Sequence, residues 1–201
     1  MHRWILLLSA AVILAVLGLC SCGDNRPPTG AHSPLAFTLV ANDGRPFPLA
    51  SLSGRVVLLV NTASHCVFTK QYKGLEALYL HYRNQGLVVV GIPSDDFFGQ
   101  EPGTDQEIHS FCTATYGITF PLMGKVDVSG DGQVPLYRYL TRESPFPGKI
   151  TWNFNKFLIG RNGQVVARFG SHVTPDDPQV LTAVQAALAV HAASVAPAAA
   201  Q

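Results

Sequence analysis

Two short runs of aliphatic residues, separated by one helical segment, constrain the fold more than any other feature of the chain. The runs at 55–61 (RVVLLVN) and 87–92 (LVVVGI) are nearly continuous and rich in β-branched residues, which is typical of strands buried on both faces. Between them, 70–85 places apolar residues at i, i+3, i+4 and i+7 and ends at Gly86, which predicts an amphipathic helix. A strand, a helix and a strand joined by short loops predict a right-handed parallel crossover.

Two glycine-containing turns predict β-hairpins on either side of this crossover. Asp43-Gly44 lies between two short apolar stretches near the start of the domain, and Asn162-Gly163 lies between two more near its end. Asp-Gly and Asn-Gly are residue pairs that favour tight hairpin turns. The sheet of the crossover is therefore expected to be mixed, with a small hairpin in front of it.

Two further helices complete the predicted order. Thr104 and Glu107 have the spacing of a capping box, which predicts a helix over 104–115. Apolar residues line one side of 178–190, which predicts a closing helix. A crossover, a helix, and a hairpin backed by a helix are the order of an α/β fold of the thioredoxin type, with a central mixed sheet flanked by helices. A fold of this kind does not by itself assign a function.

The first residues have the composition of a secretory signal rather than of a folded domain. One basic residue, Arg3, precedes an apolar run over 4–19, which at 16 residues is short for a membrane-spanning helix of roughly 20. The run ends in the sequence LCSC at 19–22, which resembles a bacterial lipobox and makes Cys22 the predicted lipid anchor. An ordinary cleaved signal and an uncleaved anchor remain open alternatives.

This signal divides the chain into four predicted parts. They are a lipoprotein-like signal peptide over 1–21, a flexible tether over 22–34, one domain over 35–190, and a disordered Ala/Pro-rich tail over 191–201. The protein is then expected in the cell envelope, as a periplasmic lipoprotein anchored to a membrane. Loss of the signal leaves 13 basic residues against 13 acidic residues, so charge provides no attraction to nucleic acid.

Cys66 lies between the first buried strand and the first helix. In open α/β sheets this is the carboxyl end of a strand, where functional sites form, and the amides that open the helix favour the reactive thiolate. A helix end supplies typically less than about 1 kcal/mol and at most about 2 kcal/mol, so other donors must approach the sulfur. Taken alone, a single loop cysteine is more often an inert buried residue.

Four sequence blocks change this interpretation. They are VNTASHCVFT at 60–69, FGQEPGTDQEI at 98–108, TFPLMGKVDVSG at 119–130 and KITWNFNKFLIGRNGQVVARF at 149–169. Together they resemble the glutathione peroxidases of the cysteine-using bacterial type, over essentially the whole of 35–190. The resemblance implies a thiol peroxidase that reduces hydrogen peroxide and organic or lipid hydroperoxides, with no metal and no prosthetic cofactor.

The resemblance also implies the site residues. The family surrounds its nucleophile with Gln, Trp and Asn, and the matching residues here are Cys66, Gln100, Trp152 and Asn153. An indole N–H and primary amides donate hydrogen bonds without adding charge, so they would stabilise the thiolate and the leaving oxygen. Cys112 matches the resolving cysteine of the thioredoxin-dependent members, which implies a disulfide with Cys66 and reduction by a thioredoxin-like partner. A helical Cys112 is expected to unwind locally to reach Cys66.

The sequence departs from the family pattern next to the expected site. Val67 replaces the glycine that normally follows the nucleophile, and Ser94 replaces a third cysteine. Asp95 and Asp96 would disfavour the thiolate if their carboxylates were aimed at the sulfur. His65 adjoins the nucleophile, and we expect its side chain to face solvent rather than to pair with the cysteine.

Other functions remain open at this stage. One is direct use of glutathione as the reductant, although no basic cluster suited to its carboxylates stands out. Others are an envelope thioredoxin-fold module that binds copper or exchanges thiols, and a peroxide sensor without turnover. The segment between 136 and 150 is a short connection, as in the smaller family members that lack an oligomerisation loop, and this predicts a monomer.

Overall fold

The computed structural model describes residues 33–190. The predicted signal peptide, the lipid anchor Cys22, the tether up to residue 32 and the tail over 191–201 lie outside the described residues. Among residues 33–190, no helix has both the length and the apolar character that crossing a bilayer requires.

Six strands and four α-helices form the described chain. The strands are β1 (Thr38–Val40), β2 (Pro46–Pro48), β3 (Val56–Thr62), β4 (Leu87–Pro93), β5 (Lys156–Ile159) and β6 (Val165–Phe169). The α-helices are α1 (Gln71–Tyr82), α2 (Asp105–Tyr116), α3 (Pro135–Arg142) and α4 (Pro178–Ala189), and short 3-10 turns occur at Pro34–Ala36, Leu49–Leu52 and Arg83–Gln85.

The main sheet has the strand order β4-β3-β5-β6. Strands β3 and β4 pair in parallel through the α1 crossover, and β5 pairs antiparallel with both β3 and β6. Strands β1 and β2 form a separate antiparallel hairpin at the predicted Asp-Gly turn. These findings confirm the prediction of a thioredoxin-like α/β fold with a central mixed sheet and a leading hairpin.

Strand β3 is buried on both faces, as its aliphatic sequence predicts, because successive side chains point to opposite sides of a sheet. Val56, Leu58 and Val60 pack with residues of α1, α2 and α4 into one apolar cluster. Val57 and Leu59 pack with the hairpin and α3 into a second cluster on the other face. Cys66 and Cys112 both belong to the first cluster, so the structure places the two cysteines on one side of the sheet.

The predicted helix boundaries agree with the structure to within a few residues. Thr104 caps α2 through the predicted box, in which its side chain accepts from the Glu107 amide and the Glu107 carboxylate accepts from the Thr104 amide. Helix α1 is shorter than predicted, because its last turn tightens into the 3-10 turn that ends at Gly86, where φ is +110°.

Helix α3 lies where the sequence analysis expected only a connection. Val134 is its extended N-cap and Pro135 opens it, and the buried side chains of Leu136, Tyr137 and Leu140 hold it against the second cluster. It has eight residues, too few for a helical period to stand out in the sequence. Packing therefore decides the helix here more than its own sequence pattern.

The start of the described chain lies far from Cys66. The Ser33 hydroxyl donates to the Gly163 carbonyl in the β5–β6 turn, which is at the end of the sheet where β3 begins. Cys66 follows the other end of β3. The two positions are therefore at opposite ends of the sheet.

Candidate active site

A hydrogen-bonded turn between β3 and α1 fixes the backbone of Cys66. The Cys66 amide donates to Oγ1 of Thr69 at 2.9 Å, and the Thr69 hydroxyl donates to the Ala63 carbonyl at 2.8 Å. The Thr69 amide returns to the Cys66 carbonyl at 3.0 Å. Thr69 thus ties both ends of the turn to Cys66, a role that the sequence analysis did not assign.

The sulfur of Cys66 receives one backbone hydrogen bond, because the Phe68 amide donates to Sγ at 3.4 Å. The side chain is 7% exposed. The donor lies in the turn before α1, two residues before the N-cap Lys70, so it is not one of the helix-opening amides that were expected to favour the thiolate, and their contribution remains a prediction. Among the described residues, the side chains of Gln100, Trp152 and Asn153 form no hydrogen bond with Sγ; the contacts that the sequence analysis expected there remain a prediction.

The structure does bring two of those side chains together beside the Cys66 turn. Nδ2 of Asn153 donates to Oε1 of Gln100 at 3.0 Å. The backbone of Gln100 in turn accepts the His65 amide at 3.0 Å, so Gln100 is attached to the residue before the nucleophile. Asn153 is fully buried and its Oδ1 has no hydrogen-bond partner.

Trp152 is presented by a turn that Asn61 holds from the end of β3. Nδ2 of Asn61 donates to the Trp152 carbonyl at 3.1 Å, and its Oδ1 accepts the Asn155 amide at 2.9 Å. Phe154, which lies between Trp152 and Asn155 in this turn, adopts a left-handed φ of +62°. The Trp152 ring packs against the first cluster, to which Cys66 belongs.

Lys156 supports the same turn from inside the protein. It is fully buried, and its Nζ donates to the carbonyls of Phe154 at 2.8 Å and Val173 at 2.7 Å. Burial lowers the pKa of this lysine to about 7. The signal for this role in the sequence is a lysine at the start of an otherwise apolar strand, and no role is predicted for it from the sequence alone.

The surface next to the nucleophile is apolar. A cavity of about 440 Å³ is lined by Val67, Phe68, Trp152 and His172, among others. Val67 is 71% exposed and Phe98 is 87% exposed, with the Phe98 ring 5.6 Å from that of Trp152. The residue that replaces the family's glycine therefore points outward at the rim of the site.

The carboxylates next to the site bind backbone amides. Oδ1 of Asp95 accepts the Glu101 amide at 2.7 Å, and Oδ2 of Asp96 accepts the amides of Val128 at 2.6 Å and Ser129 at 2.8 Å. Neither carboxylate is hydrogen-bonded to Cys66. The two aspartates therefore support loops. Neither carboxylate makes the contact with the sulfur that would disfavour the thiolate.

His65 is exposed, as predicted, and its ring stacks 6.4 Å from that of Phe111. In the part of the chain from 33 to 190, no cluster of three His, Cys, Asp or Glu side chains is arranged to bind a metal ion.

Cys112 lies in α2 and is fully buried as a free thiol. Burial is the main cause that raises the pKa of this thiol to about 11; the Tyr72 hydroxyl opposes the rise, and the nearby negative charge of Glu101 adds to it. The Cys112 carbonyl accepts the Ile118 amide at the end of α2, so the cysteine is bound into the helix end.

Comparison with known proteins relates the chain to one family. The family described as glutathione peroxidase matches residues 35–141. The chain is 50% identical over 136 residues to a glutathione peroxidase-like peroxiredoxin of Schizosaccharomyces pombe, an alignment that covers 67% of this chain and 86% of that protein. It is 48% identical over 149 residues to a hydroperoxy fatty acid reductase of Synechocystis, covering 70% of this chain and 88% of the other.

The chain is also similar to a solved structure. The crystal structure of Trgpx in its apo form superposes with a TM-score of 0.64 at 35% identity, covering 79% of this chain and 96% of that one.

Proposed function

The chain belongs to the glutathione peroxidase family, and on this premise we propose that it is a thiol peroxidase that reduces hydroperoxides with Cys66. One observation carries the assignment within the structure. A buried cysteine at the carboxyl end of β3 receives an amide N–H on its sulfur, next to the hydrogen-bonded pair of Gln100 and Asn153. The reaction is peroxide reduction by a thiol, and the thiol co-substrate takes the place of a prosthetic group.

In the first step, the Cys66 thiolate attacks the nearer oxygen of the hydroperoxide. The S–O bond forms as the O–O bond breaks, and the leaving oxygen takes a proton to become water or an alcohol. Cys66 is oxidised to a sulfenic acid. Gln100, Trp152 and Asn153 supply N–H groups for the sulfur and the leaving oxygen, and the Asn153–Gln100 hydrogen bond fixes the orientation of both amides.

In the second step, Cys112 condenses with the sulfenic acid and a thioredoxin-like protein reduces the disulfide. We expect α2 to open at its end in this step so that the sulfurs can meet, because Cys112 is fully buried within the helix. The name of the S. pombe relative, a glutathione peroxidase-like peroxiredoxin, supports peroxide reduction by a thiol.

Two cysteine variants test the cycle. Cys66→Ser should lose turnover with every peroxide and reductant, because no other described thiol can replace the nucleophile. Cys112→Ser should still be oxidised once by hydrogen peroxide, as followed by mass analysis, but thioredoxin should not recycle it. Full recycling of Cys112→Ser by thioredoxin would refute the resolving role, and peroxidase activity in Cys66→Ser would refute the function itself.

Direct assays identify the preferred reductant and the preferred substrate. Turnover with thioredoxin and thioredoxin reductase should exceed turnover with glutathione. The exposed apolar rim of Val67 and Phe98 supports lipid hydroperoxides as substrates beside hydrogen peroxide, in line with the name of the Synechocystis relative. Faster turnover with glutathione than with thioredoxin would show that glutathione is the reductant.

We place the protein in the cell envelope, as a monomer held to a membrane by lipid on Cys22. The signal-like sequence over 1–21 supports this location. The eleven residues from 22 to 32 reach at most about 40 Å when extended, enough to let the domain turn although Ser33 and Cys66 lie at opposite ends of the sheet.

The expected result is that Cys22→Ala moves the protein from the membrane fraction to the soluble fraction, and that mass analysis finds an acylated N-terminal Cys22. A mature protein that begins elsewhere would contradict the anchor. Sedimentation of the soluble form should give the mass of a single chain.

A further inference from the structure

Several buried polar atoms without partners lie between the Cys66 turn and α2. In the described part of the chain they include Oγ of Ser64, the hydroxyl of Tyr72 and both carboxylate oxygens of Glu101. Native proteins leave few such atoms, and each needs a physical reason such as an ordered water or a chemical role. The reaction steps described above use none of these groups.

The backbone of Glu101 is fixed on both sides while its carboxylate points inward. Its amide donates to Oδ1 of Asp95 at 2.7 Å, and its carbonyl accepts Nζ of Lys125 at 2.9 Å. The residue is 1% exposed. The Ser64 hydroxyl and amide are the polar groups that face the carboxylate from the Cys66 turn.

Tyr72 and Cys112 lie within electrostatic range of this carboxylate. The Tyr72 hydroxyl stands beside the Cys112 thiol, and each affects the protonation of the other, although the hydroxyl has no hydrogen bond of ordinary geometry. The negative charge of Glu101 acts on both groups. A phenol both accepts and donates a proton, so Tyr72 is suited to link the thiol to the carboxylate.

A cavity connects the carboxylate to the surface. It has a volume of about 410 Å³, and Ser64, His65 and Glu101 line it together with the first turn of α2. This is enough room for several water molecules, each of which occupies about 30 Å³ in the liquid. A proton on Glu101 therefore has a route to solvent through this cavity.

We propose that Glu101 accepts, through Tyr72, the proton that Cys112 must lose when it resolves the Cys66 sulfenic acid. While α2 is still closed, the Cys112 S–H bond breaks and the proton passes to the carboxylate; α2 then opens and the Cys112 sulfur moves to Cys66. The thiolate attacks the Cys66 sulfur, the S–S bond forms, and the S–O bond breaks. The leaving hydroxide takes up a proton to become water, so the step balances without a further reactant.

The shifted pKa values of the two groups support this assignment, which rests on the proposed function. With the pKa of Cys112 raised to about 11, only about 10⁻⁴ of this thiol is ionised at neutral pH. Burial raises the pKa of Glu101 to about 7, where a general base is most effective. Lys125 opposes this rise and Asp95 adds to it. His65 and Glu107 are the other ionisable groups on the cavity wall.

The test follows the two oxidation steps separately. One equivalent of hydrogen peroxide is mixed with reduced protein, samples are trapped by alkylation, and mass analysis counts sulfenic acid and disulfide between about pH 5.5 and 8.5. Disulfide formation in the wild-type protein should become faster as pH rises through about 7, because the carboxylate must be ionised to accept a proton.

Glu101→Gln should slow disulfide formation by about 10–100-fold at pH 7.5 and remove the rise near pH 7. Tyr72→Phe, which removes the linking hydroxyl, should also slow this step. Glu107→Gln is the matched control, because it lies on the same cavity, is exposed, and keeps a residue that completes a capping box. It should keep the wild-type pH profile.

The outcomes separate this inference from the proposed function. Disulfide formation in Glu101→Gln with the wild-type rate and pH profile would overturn the inference while leaving Cys66 as the nucleophile. An equal loss in both oxidation steps, with a lower melting temperature, would make Glu101 a purely structural residue. A wild-type Cys66 that is not oxidised at all would overturn the proposed function first.

Discussion

Asn153 donates a hydrogen bond of 3.0 Å from its side chain to the side-chain oxygen of Gln100, and so joins the β5 end of the site to the loop that follows β4. This bond engages the carbonyl oxygen of the Gln100 amide, and the NH₂ group of the same amide, which can only donate, is thereby held in a fixed orientation. It also commits one of the two N–H groups of Asn153. The two residues therefore present a fixed set of donors beside the Cys66 turn.

Removal of either amide should slow the oxidation of Cys66, because the remaining amide loses its orientation as well as its neighbour. We expect Gln100→Ala and Asn153→Ala each to lower the second-order rate with hydrogen peroxide by about 10–100-fold. The rate of the double variant should fall by less than the product of the two single-variant factors, which corresponds to a coupling energy of about 0.5–3 kcal/mol between the residues. Stopped-flow oxidation measures all three, with the exposed Gln106→Ala on α2 as the control. Strictly additive losses would show that the two amides act independently.

Strands β3 and β4 and the start of α2 could be predicted from the sequence because their signals are local. The aliphatic runs of β3 and β4, and the capping box of Thr104 and Glu107, each depend on neighbouring residues, and the structure confirms them. Helix α3 could not be predicted in this way, since its buried face is decided by packing against the second cluster.

The support of the site could not be read from the sequence either. Asn61 acts on the Trp152 turn across 91 positions of the chain, and Lys156 acts on Val173 across 17. No local pattern indicates which carbonyl a buried lysine or asparagine will reach. The family resemblance named Gln100 and Asn153 but not their mutual hydrogen bond, which requires coordinates.

The stability of the protein should depend on pH through Glu101. Folding raises the pKa of this carboxyl from 4.5 to about 7, so the native state favours its protonated form. The contribution of the protonated Glu101 carboxyl to the free energy of unfolding is fully present below pH 4.5 and is lost as pH rises through about 7. Urea unfolding should therefore show that Glu101→Gln gains stability relative to the wild-type protein between about pH 5 and 8. Parallel stability curves for the two proteins would mean that the carboxyl is not buried as described.

Lys156 should show the opposite dependence. Folding lowers the pKa of its ammonium from 10.5 to about 7, so wild-type stability should rise with pH between these two values. A neutral amine keeps two N–H groups, enough for the carbonyls of Phe154 and Val173. Lys156→Met removes both donors and should be destabilising by about 1–3 kcal/mol or more at pH 9, and by less at pH 6.

Thermal unfolding at the two pH values measures the effect of Lys156→Met, and the exposed Lys149→Met serves as the control. Because the Trp152 turn depends on this lysine, the variant should also oxidise more slowly at Cys66. A pH-independent loss of stability would contradict the assignment of a buried, titrating lysine.

Phe98 combines a left-handed backbone with an exposed ring. Replacing it by glycine should therefore raise stability but lower activity with a bulky substrate. With φ at +59°, a non-glycine residue carries strain of about 1–2 kcal/mol, so Phe98→Gly should gain part of this energy in stability. The ring is 87% exposed and packs on Trp152, so its loss should reduce the apolar surface offered to a bulky substrate. We expect kcat/KM for a lipid hydroperoxide to fall several-fold while that for hydrogen peroxide changes little. Val166→Ala removes an exposed apolar side chain on β6 and should alter neither value. Equal losses with both peroxides would show that Phe98 acts on Cys66 through Trp152 rather than on the substrate.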